Sequence, residues 1–177
     1  MDTTLLLVRH GETDWNLDGR WQGWADPPLN DTGRAQAAEL AHRLSREPVD
    51  AVYSSDLRRA LETAEPVAAA HDLRVVADPG LREIDVGAWS GLTRPEIDAR
   101  FPDGSRPGGE THEQHSARVL AALEQIARAH PGQRVVILAH GGCVRVLQRS
   151  VADDLTKLIP NCAVYEVRFG DDGFVPV

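Results

Sequence analysis

Short apolar runs alternate with stretches of helical period along the chain, and this alternation constrains the fold more than any other feature. The runs are Thr4–Val8, Ala51–Ser54, Arg74–Ala77, Arg134–Ala139 and Val164–Phe169. Asp31 or Thr32 can open a helix to about Arg46, and Ser55 or Asp56 one to about His71. Thr111 can cap a third to about His130, and Gly141 and Gly142 precede a fourth from Cys143 to about Ala152. The pattern predicts an α/β three-layer sandwich, a mostly parallel central sheet with helices on both faces. The 177 residues hold no internal repeat, so a single domain over 1–177 is expected. Within it, about 87–109 carries Pro95, Pro102, Pro107 and the aperiodic run FPDGSRPGG, and is expected to be a loop-rich flap near a site. Val164–Phe169 and Phe174–Val177 suggest an edge hairpin able to pair across a homodimer.

In open α/β sheets ligands bind beyond the carboxyl ends of strands. Two run ends carry one signature: Thr4–Val8 leads into Arg9-His10-Gly11, and Arg134–Ala139 into His140-Gly141-Gly142. Glycine after each histidine lets backbone N–H groups approach a ligand closely. A histidine beside an arginine can attack phosphorus through a ring nitrogen while the guanidinium neutralises the phosphoryl oxygens. Such transfer depends on positioning and cations, so Arg and His groups can take a metal's place.

The chain resembles the histidine phosphatase superfamily, the phosphoglycerate-mutase-like enzymes of branch 1. The resemblance rests on six ordered blocks: LLLVRHGETDWN (5–16), QGWADPPLNDTGRAQA (22–37), VYSSDLRRALETA (52–64), LREIDVGAWSGL (81–92), PGGET (107–111) and VVILAHGG (135–142). It implies that His10 is the phosphorylated nucleophile, Arg9 the first phosphate-pocket arginine and His140 the donor to the phosphoryl group in flight. It selects Arg59 over its neighbour Arg58, because the family's Leu-x-Arg-Ala pattern with a later Thr fits Leu57, Arg59, Ala60 and Thr63. Both arginines lie off the Leu57/Leu61/Ala64/Ala68 stripe, so periodicity does not choose between them. Arg58 is expected to be a solvated helix charge.

The resemblance further implies that Glu83 protonates the leaving group and then takes a proton from water. One carboxyl can serve both steps. Asp85 is expected to be a loop carboxylate bonded to backbone. Asn16, Gln22, Gly23 and Gly141 are implied substrate contacts. Glu110 is left between orienting the pocket and helix capping, and Trp15, Trp21, Trp24 and Trp89 between loop packing and an apolar wall. No metal or cofactor is implied.

The expected activity is that of a metal-independent phosphomonoester hydrolase, of the histidine acid phosphatase type, acting on a small phosphorylated metabolite. The alternatives are a mutase-type phosphotransferase and a non-catalytic phosphate-binding protein. Related mutases carry a long insertion between the acid and the second histidine, whereas here only 57 positions separate Glu83 from His140, and Gly87-Ala88-Trp89-Ser90-Gly91 looks like the phosphatase side. Net charge −8 and pI near 5.3 argue against nucleic-acid and membrane partners. Two cysteines and no basic, apolar leader point to the cytoplasm.

Other patterns are set aside. Cys143 and Arg149 fit the Cys-x5-Arg spacing of thiolate phosphatases, but Val144, Val146 and Leu147 suggest a buried helix face instead. His112 and His115 are expected on a helix surface, and His42, His71 and His130 at exposed helix ends.

Overall fold

The computed structural model describes residues 1–151 and 158–177. Its strands are β1 (Thr3–Arg9), β2 (Ala51–Ser54), β3 (Val75–Ala77), β4 (Arg134–Ala139), β5 (Val164–Gly170) and β6 (Gly173–Pro176). Its helices are α1 (Asp14–Leu17), α2 (Asp31–Leu44), α3 (Arg58–Ala69), α4 (Arg94–Arg100), α5 (His112–Ala129) and α6 (Gly141–Ser150). The expected end of the fourth helix at Ala152 lies outside the described residues.

The strands form one sheet in the order β3-β2-β4-β1-β5-β6. The first four pair in parallel, while β5 and β6 add antiparallel partners at one side. The sheet is therefore mixed, because β5 and β6 form a hairpin and have no crossover helix between them. Side chains of β1 alternate between the two faces. Leu5 and Leu7 join Val119, Leu123, Ile126 and Leu147 of α5 and α6, whereas Leu6 and Val8 join Leu40, Leu44 and Val67 of α2 and α3. The sandwich read from the sequence is the observed architecture.

Element ends differ from expectation for local reasons. α2 opens at Asp31, one of the two expected residues, and the Asn30 side chain caps it by accepting the Gly33 N–H at 2.8 Å. Leu57 is the N-cap residue of α3, which leaves Ser55 and Asp56 free for other bonds. Thr111 caps α5 in a box with Gln114, as expected. His42 is exposed, but His71 and His130 are half-buried. His130 folds back on the sheet and bonds Tyr53 Oη at 3.0 Å.

The 87–109 segment contains α4, capped by Thr93 and Glu96, and buries Ile97. It pairs with the loop after α1 through an Arg20–Thr93 bridge and reciprocal Trp21/Leu92 and Gly91/Trp21 backbone bonds. The segment is thus a partly helical buttress. Among the described residues no helix is long and apolar enough to cross a membrane.

Candidate active site

β1 and β4 are adjacent and parallel, with Arg9 opposite Ala139. The residues that follow, His10 and His140, therefore sit side by side, their ring centroids 5.2 Å apart. The crossovers from these strands leave on opposite faces of the sheet, which opens a crevice at this point. A cavity of about 370 Å³ occupies it, lined in part by Arg9, His10, Arg59, Glu83 and Gly142.

His10 is only 4% exposed. Its Nδ1–H donates to Gly11 O at 2.6 Å, so the lone pair belongs to Nε2. That nitrogen accepts from Arg59 Nε at 3.3 Å. Burial, and then the Arg59 charge, hold the ring's pKa well below the ordinary histidine value. The loop is fixed from three sides. Gly11 N–H donates to Thr63 Oγ1 at 3.0 Å, Asn161 Nδ2 donates to His10 O at 2.9 Å, and Gly11 packs backbone to backbone on Gly33.

Arg59 is 1% exposed, and its Nη1 and Nη2 donate to the carbonyls of Ala25 and Gly23 at 2.8 Å each. Burial lowers its pKa to about 10, which leaves it charged at neutral pH. Arg9 is likewise lowered by burial, and its Nη1 donates to Ile159 O at 2.5 Å. Arg58 is the solvated neighbour expected, paired with Glu62 at 2.6 Å. His140 is fully buried, and its Nε2 lies 2.9 Å from Ser55 Oγ. Its Nδ1 is buried without a partner among the described residues.

Glu83 reaches the cavity from the loop after β3. Its Oε1 accepts the Ile84 N–H at 2.9 Å and its Oε2 the Gly142 N–H at 3.0 Å. Several struts hold this loop. Arg82 makes a two-pronged bond to Asp56 at 2.7 and 2.6 Å, which holds the Asp56 carboxyl below its usual range. Arg118 donates to the carbonyls of Gly80, Arg82 and Glu83 and pairs with Glu110. Glu110 also accepts the Asp85 N–H at 3.0 Å, so it orients the loop and does not cap α5. Asp85 bonds the Gly87 backbone, as expected.

Asn16, Gln22, Gly23 and Gly141 all line the cavity. The Asn16 carboxamide oxygen accepts the Thr13 N–H in the α1 capping box, which leaves Nδ2 as the end available to an anion. The tryptophans divide. Trp21 lines the cavity and stands edge-on to Trp89, with ring centroids 5.4 Å apart. Trp24 is a strut, donating Nε1–H to Glu83 O at 2.8 Å and lying under Arg82 and Arg118. Trp15 packs over Gly91. The 87–109 segment contributes no lining residue and backs the cavity wall through Arg20 and Trp21.

One expectation is overturned. His112 and His115 do not form a plain surface pair, since both line the cavity and His115 is 3% exposed. His115 continues the buried stripe of Val119, Ala122 and Ile126, a spacing visible on a helical wheel. Cys143 is fully buried on α6, and burial raises its thiol pKa well above the usual value. It therefore lacks the phosphate-cradling loop that thiolate chemistry requires. Arg118 and Asn161 carry no signal in the sequence, because each acts on residues distant in the chain. Ser55 and Thr63 stand in the sequence only as a possible helix cap and as part of the motif that selects Arg59, not as partners of His140 and Gly11.

The sequence signature of branch 1 of the histidine phosphatase superfamily matches residues 5–177. The chain belongs to that family. Among its histidine phosphatase relatives is phosphoserine phosphatase 1 of Hydrogenobacter thermophilus, 40% identical over 86% of this chain and 78% of that protein. A 2,3-bisphosphoglycerate-dependent phosphoglycerate mutase of a Methylobacterium species is 33% identical over 93% of this chain and 88% of that protein. The solved structure of Bacillus stearothermophilus YhfR superposes with a TM-score of 0.91 at 32% identity, covering 99% of this chain and 95% of that one.

Proposed function

We propose that this protein is a metal-independent phosphomonoesterase that hydrolyses a small phosphorylated metabolite through a phosphohistidine on His10. The observation that carries this reading is the orientation of His10. Its proton is committed to Gly11 O, and its lone pair faces a cavity that also holds two arginines and a carboxyl group.

Nε2 of His10 attacks phosphorus, and Arg9 and Arg59 neutralise the equatorial oxygens. Ser55 Oγ–H donates to His140 Nε2, which keeps a proton on the unpartnered Nδ1 for a phosphoryl oxygen. As the ester bond breaks, the leaving oxygen takes the proton of Glu83. The Glu83 carboxylate then accepts a proton from water, whose oxygen displaces His10 and releases phosphate. Asn16, Gln22, Gly23 and Gly141 contact the bound group. A low ring pKa suits the nucleophile, because a neutral imidazole keeps its lone pair.

Hydrolysis is favoured over return of the phosphoryl group to a second hydroxyl. The 56 residues between Glu83 and His140 hold no large covering insertion, so water reaches the intermediate. Relatives named as a phosphoserine phosphatase and a glucosyl-3-phosphoglycerate phosphatase support the same side. The two cysteines are unpaired, which fits a cytoplasmic setting.

The test is turnover of a phosphomonoester with chelator present, together with an alkaline quench that preserves phosphohistidine. Wild type should turn over and trap a phosphoryl group on His10. His10→Ala should lose about 10⁴-fold or more in kcat, as loss of a covalent nucleophile does elsewhere, while Cys143→Ala keeps the intermediate. Activity persisting in His10→Ala would refute the reading.

A further inference from the structure

Glu83, His115 and Cys143 converge from three separate elements at one wall of the cavity. His115 Nε2 lies 3.8 Å from Glu83 Oε1 and 3.9 Å from Cys143 Sγ. The three donor atoms all fall within 4.8 Å of one another. Catalysis as described above uses Glu83 alone of the three and leaves a buried imidazole and a buried thiol unexplained.

We propose that Glu83, His115 and Cys143 form an inhibitory site for a thiophilic divalent cation such as Zn²⁺, which shuts the enzyme off by capturing its proton donor. The donor set selects the ion. One thiolate, one imidazole and one carboxylate suit Zn²⁺, whereas Mg²⁺ and Ca²⁺ require oxygen ligands throughout. The spacing is close to what the ion needs. Tetrahedral Zn²⁺ with ordinary bond lengths places its donors about 3.3–3.6 Å apart, so the two separations at His115 Nε2 must contract by about 0.3–0.5 Å and the third, which lies within 4.8 Å, by up to about 1.3 Å. Three protein ligands leave a fourth position for water. That position faces the cavity, because Glu83 and His115 both line it while Cys143 lies buried on the far side.

Binding rearranges the Glu83 carboxylate. Oε2 can keep the Gly142 N–H, while Oε1, which accepts the Ile84 N–H at 2.9 Å, gives up or shares that bond as it turns to the ion. The Cys143 thiol now faces the carbonyls of Leu81 and Arg82 at 3.3 and 3.5 Å, and Arg82 O keeps a stronger donor in Arg118 Nη1 at 3.0 Å. As the metal–sulfur bond forms, the thiol proton leaves to solvent, and the charge of the ion replaces it. With Oε1 held on the ion, Glu83 has no proton to give the leaving group.

The inhibitory consequence rests on the proposed phosphatase reading, but the binding does not, so the two are measured separately. Binding is followed with Co²⁺ in the apo-protein, where a cobalt–thiolate bond gives a near-ultraviolet charge-transfer band. The band should appear in wild type and in the inactive His10→Ala protein. It should vanish in Cys143→Ser and weaken at least about tenfold in apparent affinity in His115→Leu, a change that extends the apolar stripe of α5 and protects the fold. Inhibition is read as the ratio of activity with Zn²⁺ to activity with chelator, within each variant. Zn²⁺ should reduce wild-type activity at least about tenfold, Mg²⁺ should not, and either substitution should raise the inhibitory Zn²⁺ concentration about tenfold or more. No charge-transfer band in wild type, or equal Zn²⁺ sensitivity in folded Cys143→Ser and His115→Leu, would overturn the site. A band with no turnover in any sample would refute the phosphatase reading and leave the site standing.

Discussion

A Cβ built on Gly142 would fall 1.9 Å from Glu83 Oε1 and 3.1 Å from His115 Cε1. The observed place of the Glu83 carboxyl therefore requires glycine here on grounds of contact, although the fold does not, since the backbone is ordinary helix and the carboxyl can swing away. Gly142→Ala must push the Glu83 carboxyl away from its place, and misplacing a reacting group by about 1 Å typically costs on the order of 10²-fold in rate. We expect a fall of that size in kcat, with the melting temperature moving by only a few degrees. A kcat within about twofold of wild type would show that Glu83 does not act from the position observed. Arg58 and Arg59 show what local sequence leaves undecided at this scale. Both lie off the apolar stripe of α3, yet one is solvated and the other is 1% exposed. Only carbonyls brought in from Gly23 and Ala25 make burial of that guanidinium tolerable.

α5 does more than cover the sheet. Its Arg118 gathers three carbonyls of the loop that carries Glu83, the proposed proton donor, and locks them through Glu110. Arg118→Ala removes a largely covered cation and leaves the Glu110 carboxylate without its partner. We expect a loss of about 2 kcal/mol in urea unfolding, together with a drop in kcat exceeding any change in KM, because the loop positions an acid more than it binds the ground state. A rise in KM alone, with kcat preserved, would assign Arg118 to substrate binding. The elements themselves were largely legible. β2 and β4 fall on the apolar runs, and the Thr111 cap begins α5 where expected. α4 is not legible in the sequence because its helical stretch is short, with Pro95 in its first turn and Pro102 just beyond it, so a helix stabilised by burial of Ile97 looks like loop. The spacing of His115 to Val119, Ala122 and Ile126 is legible in the sequence, yet periodicity alone does not mark a histidine as core.

Across the whole molecule, two neutral histidines held in the fold make stability depend on pH. His10 and His140 both have pKa values well below the ordinary histidine value, through burial first and the Arg59 charge second. Below about pH 6.5 the unfolded chain therefore binds protons that the folded protein refuses, and stability falls as pH falls. Above that value these rings contribute no slope. Asp56 works in the same direction in a lower window, since its carboxyl is depressed by Arg82 and its contribution is lost only as pH drops through the acidic range below about 4. Thermal unfolding from about pH 7.5 to about pH 5.5 should show a declining melting temperature, and His10→Asn should remove part of that decline. A flat profile over this interval would mean that both rings take up a proton in the fold.

The sequence by itself determined the alternation of strands and helices, the burial of each β1 side chain on one face or the other, and the delivery of His10 and His140 to the ends of strands. These follow from local periodicity, which the backbone obeys whatever lies around it. The tertiary structure decided which strand ends are neighbours, which of two arginines enters the site, and where a buried imidazole and thiol meet Glu83. Those outcomes depend on the placement of β4 between β1 and β2 and on bonds between residues far apart in the chain. No local pattern records such partners, because the free energy of each bond exists only once both ends have been brought together.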